Sequence, residues 1–237
     1  MRINVYISSS GLCSRREADR LVESKRVTIN GDLAETGMNV LNSDEVMVDG
    51  KLVFHNEGTV YLLYHKPVGI ETTTDTTKPK NIIDAVGYKD RIFPVGRLDK
   101  ESSGLIILTS DGQIVNQILR SENAHEKEYV VKVDKTLTDD FLESMAKGVK
   151  IFNPVKHEYT ITLPSIVKQL SSNIFSIILT QGLNLQIRRM VSALGYHVLS
   201  LERIRIMNLS IQDIPVGKWR HFTKDELSIL NEKIHNN

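Results

Sequence analysis

The spacing of hydrophobic and polar residues near the N-terminus predicts two short helices. Residues 3–9 fit one helical segment, which ends at Gly11. Ser14, followed three residues later by Glu17, forms a capping-box pattern that opens a second helix of about three turns. Residues at spacings of three and four give that helix an apolar face, namely Ala18, Leu21 and Val22.

Short alternating runs follow these helices and predict small hairpins. The run VTING ends at the tight-turn pair Asn30-Gly31, and the run VMVDGKLVF is centred on the pair Asp49-Gly50. The polar stretch HNEG, residues 55–58, is typical of a linker. We therefore predict a small domain over residues 1–55 and a larger domain over residues 59–237.

The larger domain mixes strand and helix patterns without a regular alternation. Four runs predict strands: TVYLLYHK (59–66), GLIILT (104–109), KEYVVKVD (127–134) and NIFSIILTQG (173–182). Four others predict helices: QIVNQILR (113–120), TDDFLESMAKG (138–148), LQIRRMVSALG (185–195) and a C-terminal segment from the capping box at Thr223. Irregular order of this kind favours an α+β fold with a mixed, largely antiparallel sheet.

Composition limits the class of protein. The 237 residues are 41% hydrophobic and 25% charged, which suits one or two globular domains. A single cysteine, Cys13, cannot form an intramolecular disulfide and fits a reducing cytosol. No apolar run approaches the roughly 20 residues that span a bilayer, and the N-terminus lacks the apolar core of a secretory signal. We expect a cytoplasmic protein with no membrane partner.

Charge is concentrated toward the C-terminus. The net charge of the chain is +1, but residues 183–224 contain seven basic and two acidic residues. This stretch therefore has a net charge of 7 − 2 = +5. The basic residues are Arg188, Arg189, Arg203, Arg205, Lys218, Arg220 and Lys224. Such a cluster can bind phosphates. Solvated surface arginines explain the same pattern equally well.

Motifs for several common chemistries are missing. Seven histidines and one cysteine are scattered without the CxxC, HxxxH or HExxH spacing of a metal site, and we expect neither a metal nor another cofactor. The chain has no Walker A loop, no GxGxxG and no G-x-S-x-G. What remains is Asp99, two residues after Arg97 at the start of an apolar strand. Composition and spacing alone favour a solvated turn there over an active site.

Several motifs together resemble a known family. The stretch VGRLDKESSGLIILTSDG (95–112) resembles the G-R-L-D signature of bacterial pseudouridine synthases, in the ribosomal-RNA branch that includes RsuA, RluB, RluE and RluF. HKPVG, KEYVVKV and QGLNLQIRRMVSALG are similar to further segments of that family, and the tail is most similar to the RluF type. The N-terminal unit resembles the small RNA-binding domain shared with ribosomal protein S-four. The resemblance covers nearly the whole chain.

The resemblance implies an isomerase that converts a uridine within RNA into pseudouridine without a cofactor. It makes Asp99 the catalytic carboxylate, whether it attacks C1′, attacks C6 or acts as a base, and each role needs the ionised form. Arg188 matches the arginine that pairs with this aspartate, and Tyr129 matches the tyrosine that packs on the target base. Leu105–Leu108 are expected to form core beneath Asp99.

The resemblance also implies residues that contact RNA. Arg97 matches an arginine that helps to fill the vacated position in the RNA, and Lys66 either supports the site or touches a phosphate. The other candidates are basic residues on both predicted domains: Arg15, Arg16, Lys25, Arg26, Arg189, Arg203 and Arg205. The expected partner of this monomer is ribosomal RNA, most of all that of the large subunit. A sibling enzyme acting on tRNA and a non-catalytic RNA-binding or ribosome-assembly protein are the alternatives.

Overall fold

The chain forms two compact units. The computed structural model describes residues 1–41, 43–54, 58–119 and 125–235, so the predicted linker lies outside the described residues except for Gly58. The smaller unit contains Met1–Tyr61 together with the segments Tyr88–Phe93 and Thr109–Gly112. The larger unit contains Leu62–Gly87, Pro94–Leu108 and Gln113–Asn237.

The smaller unit begins with the two predicted helices, α1 (Ile3–Ser9) and α2 (Arg15–Glu23). The Ser14 hydroxyl accepts a hydrogen bond from the Glu17 amide at 3.1 Å, which caps α2 as predicted. Four short strands follow as an antiparallel sheet in the order β2-β1-β3-β4, with bounds β1 (Val27–Ile29), β2 (Asp32–Leu33), β3 (Val46–Val48) and β4 (Lys51–Leu52). The apolar faces of the helices pack with these strands into one core.

The larger unit is built around one extended sheet. Its helices are α3 (Ile82–Val86), α4 (Gly112–Leu119), α5 (Asp139–Lys147), α6 (Gln186–Ala193) and α7 (Lys224–His235). Its strands are β5 (Tyr61–Lys66), β6 (Phe93–Val95), β7 (Ser103–Thr109), β8 (Lys127–Val133), β9 (Lys150–Asn153), β10 (Glu158–Ile161), β11 (Ile166–Ser171), β12 (Ile174–Leu179), β13 (Val198–Ile206), β14 (Leu209–Ser210) and β15 (Trp219–His221). Several end residues of these elements belong to the smaller unit, as its bounds indicate.

Nine strands form the main sheet, and most of the described pairs are antiparallel. The order is β11-β12-β8-β13-β7-β5-β15, while β14 pairs with β13 and β6 with β7. The pair β7–β13 is parallel and places Arg203 opposite Gly104. A Cβ at position 104 would lie 2.4 Å from the backbone nitrogen and oxygen of Arg203, so glycine permits this close approach. Strands β9 and β10 form a separate hairpin.

The predicted α+β class, with a mixed and largely antiparallel sheet, is confirmed. The four predicted strands and four predicted helices of the larger unit all exist, within a few residues at their ends. The predicted core at Leu105–Leu108 is also confirmed, because each of these side chains is 0% exposed. Within the described ranges, no helix is both long and apolar enough to cross a membrane.

Candidate active site

Asp99 lies in a loop between β6 and β7 whose backbone is held firmly. The buried Thr72 hydroxyl donates to the Leu98 carbonyl at 2.6 Å and accepts from the Leu98 amide at 3.3 Å. The Ser102 amide donates to the Asp99 carbonyl at 3.0 Å, and the Gly69 amide donates to the Lys100 carbonyl at 2.8 Å. Because the loop is tied on both sides of Asp99, its carboxylate is held at a defined place while the side chain is only half-buried.

Arg188 on α6 contacts this loop, but its partners are Glu101 and Ser102 rather than the predicted Asp99. Its Nη2 donates to the Glu101 carbonyl at 2.8 Å and to the Ser102 hydroxyl at 3.2 Å. Among the residues that the structure describes, the Asp99 carboxylate has no ion pair or hydrogen bond, so the expected Arg188–Asp99 pair is not formed in this structure. The arginine instead braces the loop two and three residues after the aspartate. Its buried Nε has no partner among those residues.

A cavity of about 700 Å³ opens beside Asp99. Its walls include Asp99, Tyr129 and Arg188, the residues for which the sequence predicted a catalytic role, together with the exposed Arg97. Tyr129 is half-buried on β8, where it faces Arg203 of β13 across the ladder. The volume is within the range of pockets that hold a small ligand, and it leaves room for a nucleobase.

Arg203 forms part of the cavity wall and is 4% exposed. Its Nε donates to the Leu105 carbonyl at 2.7 Å and its Nη1 to the Arg97 carbonyl at 3.3 Å. The guanidinium therefore links the segment before Asp99 to the strand after it. Its Nη2 is buried and has no partner within the described residues. Burial makes Arg203 a support of the site, which corrects its prediction as a phosphate contact.

A fully buried lysine adds positive charge near Asp99. Lys66 is 0% exposed, and its Nζ donates to the carbonyls of Pro67 and Ile70 at 2.9 Å each. Burial lowers the pKa of Lys66 to about 8, against the opposing effect of the Asp99 and Glu101 carboxylates. Two roles were predicted for Lys66. Its burial argues against the contact to phosphate, and support of the site remains.

Lys127 is the residue that sequence reasoning missed. It lies in the cavity wall, two residues before Tyr129, and its Nζ donates to the His125 carbonyl at 3.1 Å. Burial, with a smaller contribution from the Arg203 charge, lowers the pKa of Lys127. The KEYVVKV motif contained the signal, because a lysine at the start of a half-buried strand shares the face of Tyr129.

Three other predicted RNA contacts are occupied by bonds within the protein. Arg205 makes ion pairs with Glu128 at 2.8 Å and Glu126 at 3.0 Å, and Arg26 makes a two-bonded pair with Asp49. The guanidinium of Arg189 donates to the Phe152 carbonyl and to the Asn184 side chain. In this structure the three arginines are therefore paired with protein groups, and their contact to RNA stays a prediction. Arg15, Arg16 and Lys25 are exposed, as a phosphate contact requires.

A cavity with a carboxylate in its wall fits an enzyme active site, and comparisons with known proteins give the class of enzyme. Residues 60–193 match the RNA pseudouridylate synthase family, and residues 1–53 match the S4 domain. The chain belongs to the RNA pseudouridine synthases, in the RsuA, RluB, RluE and RluF branch.

Individual relatives support the same assignment. The dual-specificity RNA pseudouridine synthase RluF of Salmonella typhi is 50% identical over 95% of this chain and 77% of its own length. Ribosomal large subunit pseudouridine synthase B of Bacillus subtilis is 30% identical over 97% of this chain and 95% of its own. A crystal structure of a pseudouridylate synthase superposes with a TM-score of 0.70 at 25% identity, covering 97% of this chain and 99% of that one. Family membership at this similarity makes the chain an RNA pseudouridine synthase.

Proposed function

We propose that this enzyme converts a uridine of large-subunit ribosomal RNA into pseudouridine, with Asp99 as the catalytic carboxylate. One observation carries the proposal: Asp99, Tyr129 and Arg188 line the same cavity. In the reaction the C1′–N1 bond breaks, the uracil turns, a C5–C1′ bond forms, C5 loses its proton and N1 gains one. The bonding is rearranged within one nucleotide, so no oxidant, reductant or energy source is consumed.

Each residue has a role that its surroundings support. The Asp99 carboxylate is held by the loop bonds and keeps its lone pairs free for the reaction. The Tyr129 ring offers an apolar face to a uracil that has left the RNA stack. Arg188 braces the loop through Glu101 and Ser102, and its unpartnered Nε is a donor for an oxygen that arrives with the substrate.

Arg203, Lys66 and Lys127 are positioning residues in this proposal. Arg203 ties the Arg97 carbonyl to the Leu105 carbonyl, and so holds Asp99 between two fixed points. Lys66 places a positive charge near the Asp99 and Glu101 carboxylates, and Lys127 places one in the cavity wall. Catalysis needs that arrangement before the substrate enters, because reorganisation during the reaction would raise the barrier.

Binding of the RNA backbone falls to exposed cations in this proposal. Residues 1–55 act as an RNA-binding domain through Arg15, Arg16 and Lys25, while residues 59–237 act as the catalytic domain, with Arg97 at the cavity. Phosphate contacts of this kind position the RNA without reading its sequence. The S4-domain match supports the division. The enzyme acts as a cytoplasmic monomer, and sedimentation equilibrium tests the monomer.

The names of the relatives support the choice of RNA. One relative at 30% identity is a ribosomal large subunit pseudouridine synthase, which favours large-subunit ribosomal RNA. The relatives at 48 to 50% identity are called dual-specificity enzymes, which favours a second RNA substrate, and tRNA is our candidate for it. Pseudouridine mapping of ribosomal RNA and tRNA, in cells with and without the gene, tests both. Maps that do not differ would overturn the proposal.

The complementation arm of that experiment tests the catalytic carboxylate. Asp99→Asn keeps the shape of the side chain but removes its charge, and we expect pseudouridine formation to fall by at least about 1,000-fold because the nucleophile or base is lost. Glu101→Gln is the matched control, since Glu101 is an exposed acid in the same loop. It should restore the modification. Comparable turnover by Asp99→Asn and the unaltered enzyme would rule out the assignment.

A further inference from the structure

One face of the β9–β10 hairpin is apolar, aromatic and open to solvent. The register pairs Phe152 with Tyr159 and Lys150 with Ile161, so these four side chains share one face of the hairpin, here called the hairpin face. Phe152 is 43% exposed, while Tyr159 and Ile161 are each 67% exposed. The opposite face carries the buried Ile151. This pattern is the reverse of an ordinary surface hairpin, which turns its aromatic residues inward.

The aromatic rings of the hairpin face are arranged together with a cation. The centroids of Phe152 and Tyr159 are 5.5 Å apart, with their planes at 68°. The Lys150 ammonium lies 5.3 Å from the centroid of the Tyr159 ring. Lys150 is the charged member of the face. Glu158, the nearest acid along β10, points to the other side of the hairpin and lies 3.7 Å from Lys156.

The hairpin is tied to the rim of the cavity. Arg189 of α6 donates through Nη1 to the Phe152 carbonyl and through Nη2 to the Asn184 side chain at 2.9 Å. Asn184 is itself part of the cavity wall. One guanidinium therefore connects the backbone of the hairpin at Phe152 to Asn184 in the cavity wall.

We propose that the hairpin face binds an unpaired nucleobase of the substrate RNA, close to the uridine that enters the cavity. The Phe152 and Tyr159 rings stack on the base, and Lys150 contacts an adjoining phosphate. This pairing of aromatic rings and cations is how proteins hold single-stranded nucleic acid. The chemistry fits a nucleic acid better than a protein partner, because the face joins exposed rings to a positive charge and carries no carboxylate. That the base belongs to the substrate rests on the proposed function.

Direct binding to a defined RNA tests the proposal without relying on catalysis. The probe is a fluorescein-labelled oligouridylate of roughly ten nucleotides, within the length that such single-strand sites cover. Its affinity for the full chain is measured by fluorescence anisotropy and compared with that of a blunt RNA duplex of equal length. The variants are Tyr159→Ala, Phe152→Ala and Tyr159→Phe. Ile166→Ala is the matched control, an exposed aliphatic side chain on β11.

We expect Tyr159→Ala and Phe152→Ala to weaken oligouridylate binding by roughly 5-fold to 150-fold, the range of base–aromatic stacking. Duplex binding should change less than about twofold, because paired bases expose no face for stacking. Tyr159→Phe and Ile166→Ala should leave both affinities unchanged. Lys150→Gln should reduce the salt dependence of oligouridylate binding by about 0.7 in slope, because one phosphate is no longer neutralised by the protein.

Equal oligouridylate affinity for Tyr159→Ala and the unaltered chain, with unchanged thermal unfolding, would overturn the proposal. So would self-association of the chain that Tyr159→Ala abolishes while RNA binding persists, because the face would then bind a second copy. Failure of the proposed function is distinguishable. It would appear as unchanged pseudouridine maps, whereas the hairpin face is judged by binding alone.

Discussion

Five arginines of the larger unit and two arginines of the smaller unit differ in their partners. In the larger unit, five arginines donate to carbonyls or carboxylates within the same unit, namely Arg188, Arg189, Arg203, Arg205 and Arg220. In the smaller unit, Arg15 and Arg16 on α2 are exposed and make no side-chain hydrogen bond or ion pair within the described part of the chain. The five arginines bond within their own unit, whereas Arg15 and Arg16 remain available to a phosphate. Two other arginines of the smaller unit are paired, Arg20 with Glu17 and Arg26 with Asp49.

The difference shows that local net charge is a poor guide to which arginines are left without a protein partner. By sequence, residues 183–224 are more basic than helix α2, yet their arginine side chains form hydrogen bonds or ion pairs within the larger unit. Helix α2 lies in a unit of mixed charge. Its Arg15 and Arg16 are exposed and unpaired within the described residues, while its Arg20 pairs with Glu17. A basic side chain is best placed to contact an RNA phosphate when it is exposed to solvent and has no protein partner.

The largest effect expected from this comparison is the loss of Arg203. We expect Arg203→Met to lower kcat by about 10-fold to 100-fold with little change in KM, because Asp99 loses the brace that sets its position. Arg203→Lys keeps the charge but lacks the rigid planar fork of a guanidinium, so kcat should recover only in part. Single-turnover kinetics on an RNA identified by pseudouridine mapping provide the measurement.

The control for Arg203 is Arg220→Met. Arg220 makes a two-bonded pair with Glu226 away from the cavity wall, so its loss should lower the unfolding temperature without changing kcat. If Arg203→Met lowered the unfolding temperature but left kcat unchanged, Arg203 would contribute to stability and not to catalysis.

The second prediction concerns Arg188. Arg188→Lys preserves the charge but loses the fork that reaches the Glu101 carbonyl and the Ser102 hydroxyl together. We expect kcat to fall by about tenfold, and RNA affinity to change by less than about twofold. A drop in affinity with normal kcat would instead make Arg188 an RNA contact like those of α2.

The third prediction is a pH dependence from Lys66, whose pKa burial lowers from 10.5 to about 8. As the pH rises through about 8, Lys66 loses its proton and the site loses a fixed positive charge. We expect kcat to fall by a few-fold on that side, because the electrostatic environment prepared for the reaction changes. The folded chain also loses this proton before the unfolded chain does. The Lys66 contribution therefore makes unfolding less favourable between about pH 8 and 10.5.

Both effects are measured by following kcat and the unfolding temperature from about pH 6.5 to about pH 10, a range that brackets the lowered pKa. Lys66→Met should be less active at neutral pH and should lose the step near pH 8. A Lys66→Met profile that keeps the step would assign it to another group. Lys66→Arg is the companion variant, because a guanidinium stays protonated throughout this window.

The smallest effect is expected in the smaller unit. Arg15→Gln with Arg16→Gln should weaken RNA binding by a few-fold at moderate salt and reduce the salt slope by about 0.7 to 0.9 for each phosphate that these arginines neutralise. The rate of the chemical step at saturating RNA should not change. Filter-binding titrations across a salt series measure this, with Arg20→Gln as a control because Arg20 already pairs with Glu17. Slopes that stay equal would contradict the role of α2.

Local rules predicted the elements well wherever the signal was local. The capping box at Thr223 is reciprocal as predicted, with the Glu226 amide donating to the Thr223 hydroxyl at 3.1 Å and the Thr223 amide donating to the Glu226 carboxylate at 2.8 Å. The strand β13 was missed although its residues alternate, because Glu202, Arg203 and Arg205 made the run look solvated. The protein buries that charge by bonding it across the sheet.

The sequence by itself determined the helices and strands with strong periodicity, because these depend on neighbours along the chain. Its motifs also indicated the small RNA-binding domain, the pseudouridine synthase domain and the candidate residues around Asp99. Only the tertiary structure decided what each cation does. Arg203 bonds to the carbonyl of Leu105, 98 residues away, and that contact exists only because β13 pairs with β7 at Gly104. The role of a charged side chain depends on its burial and its partners, and long-range strand pairing sets both.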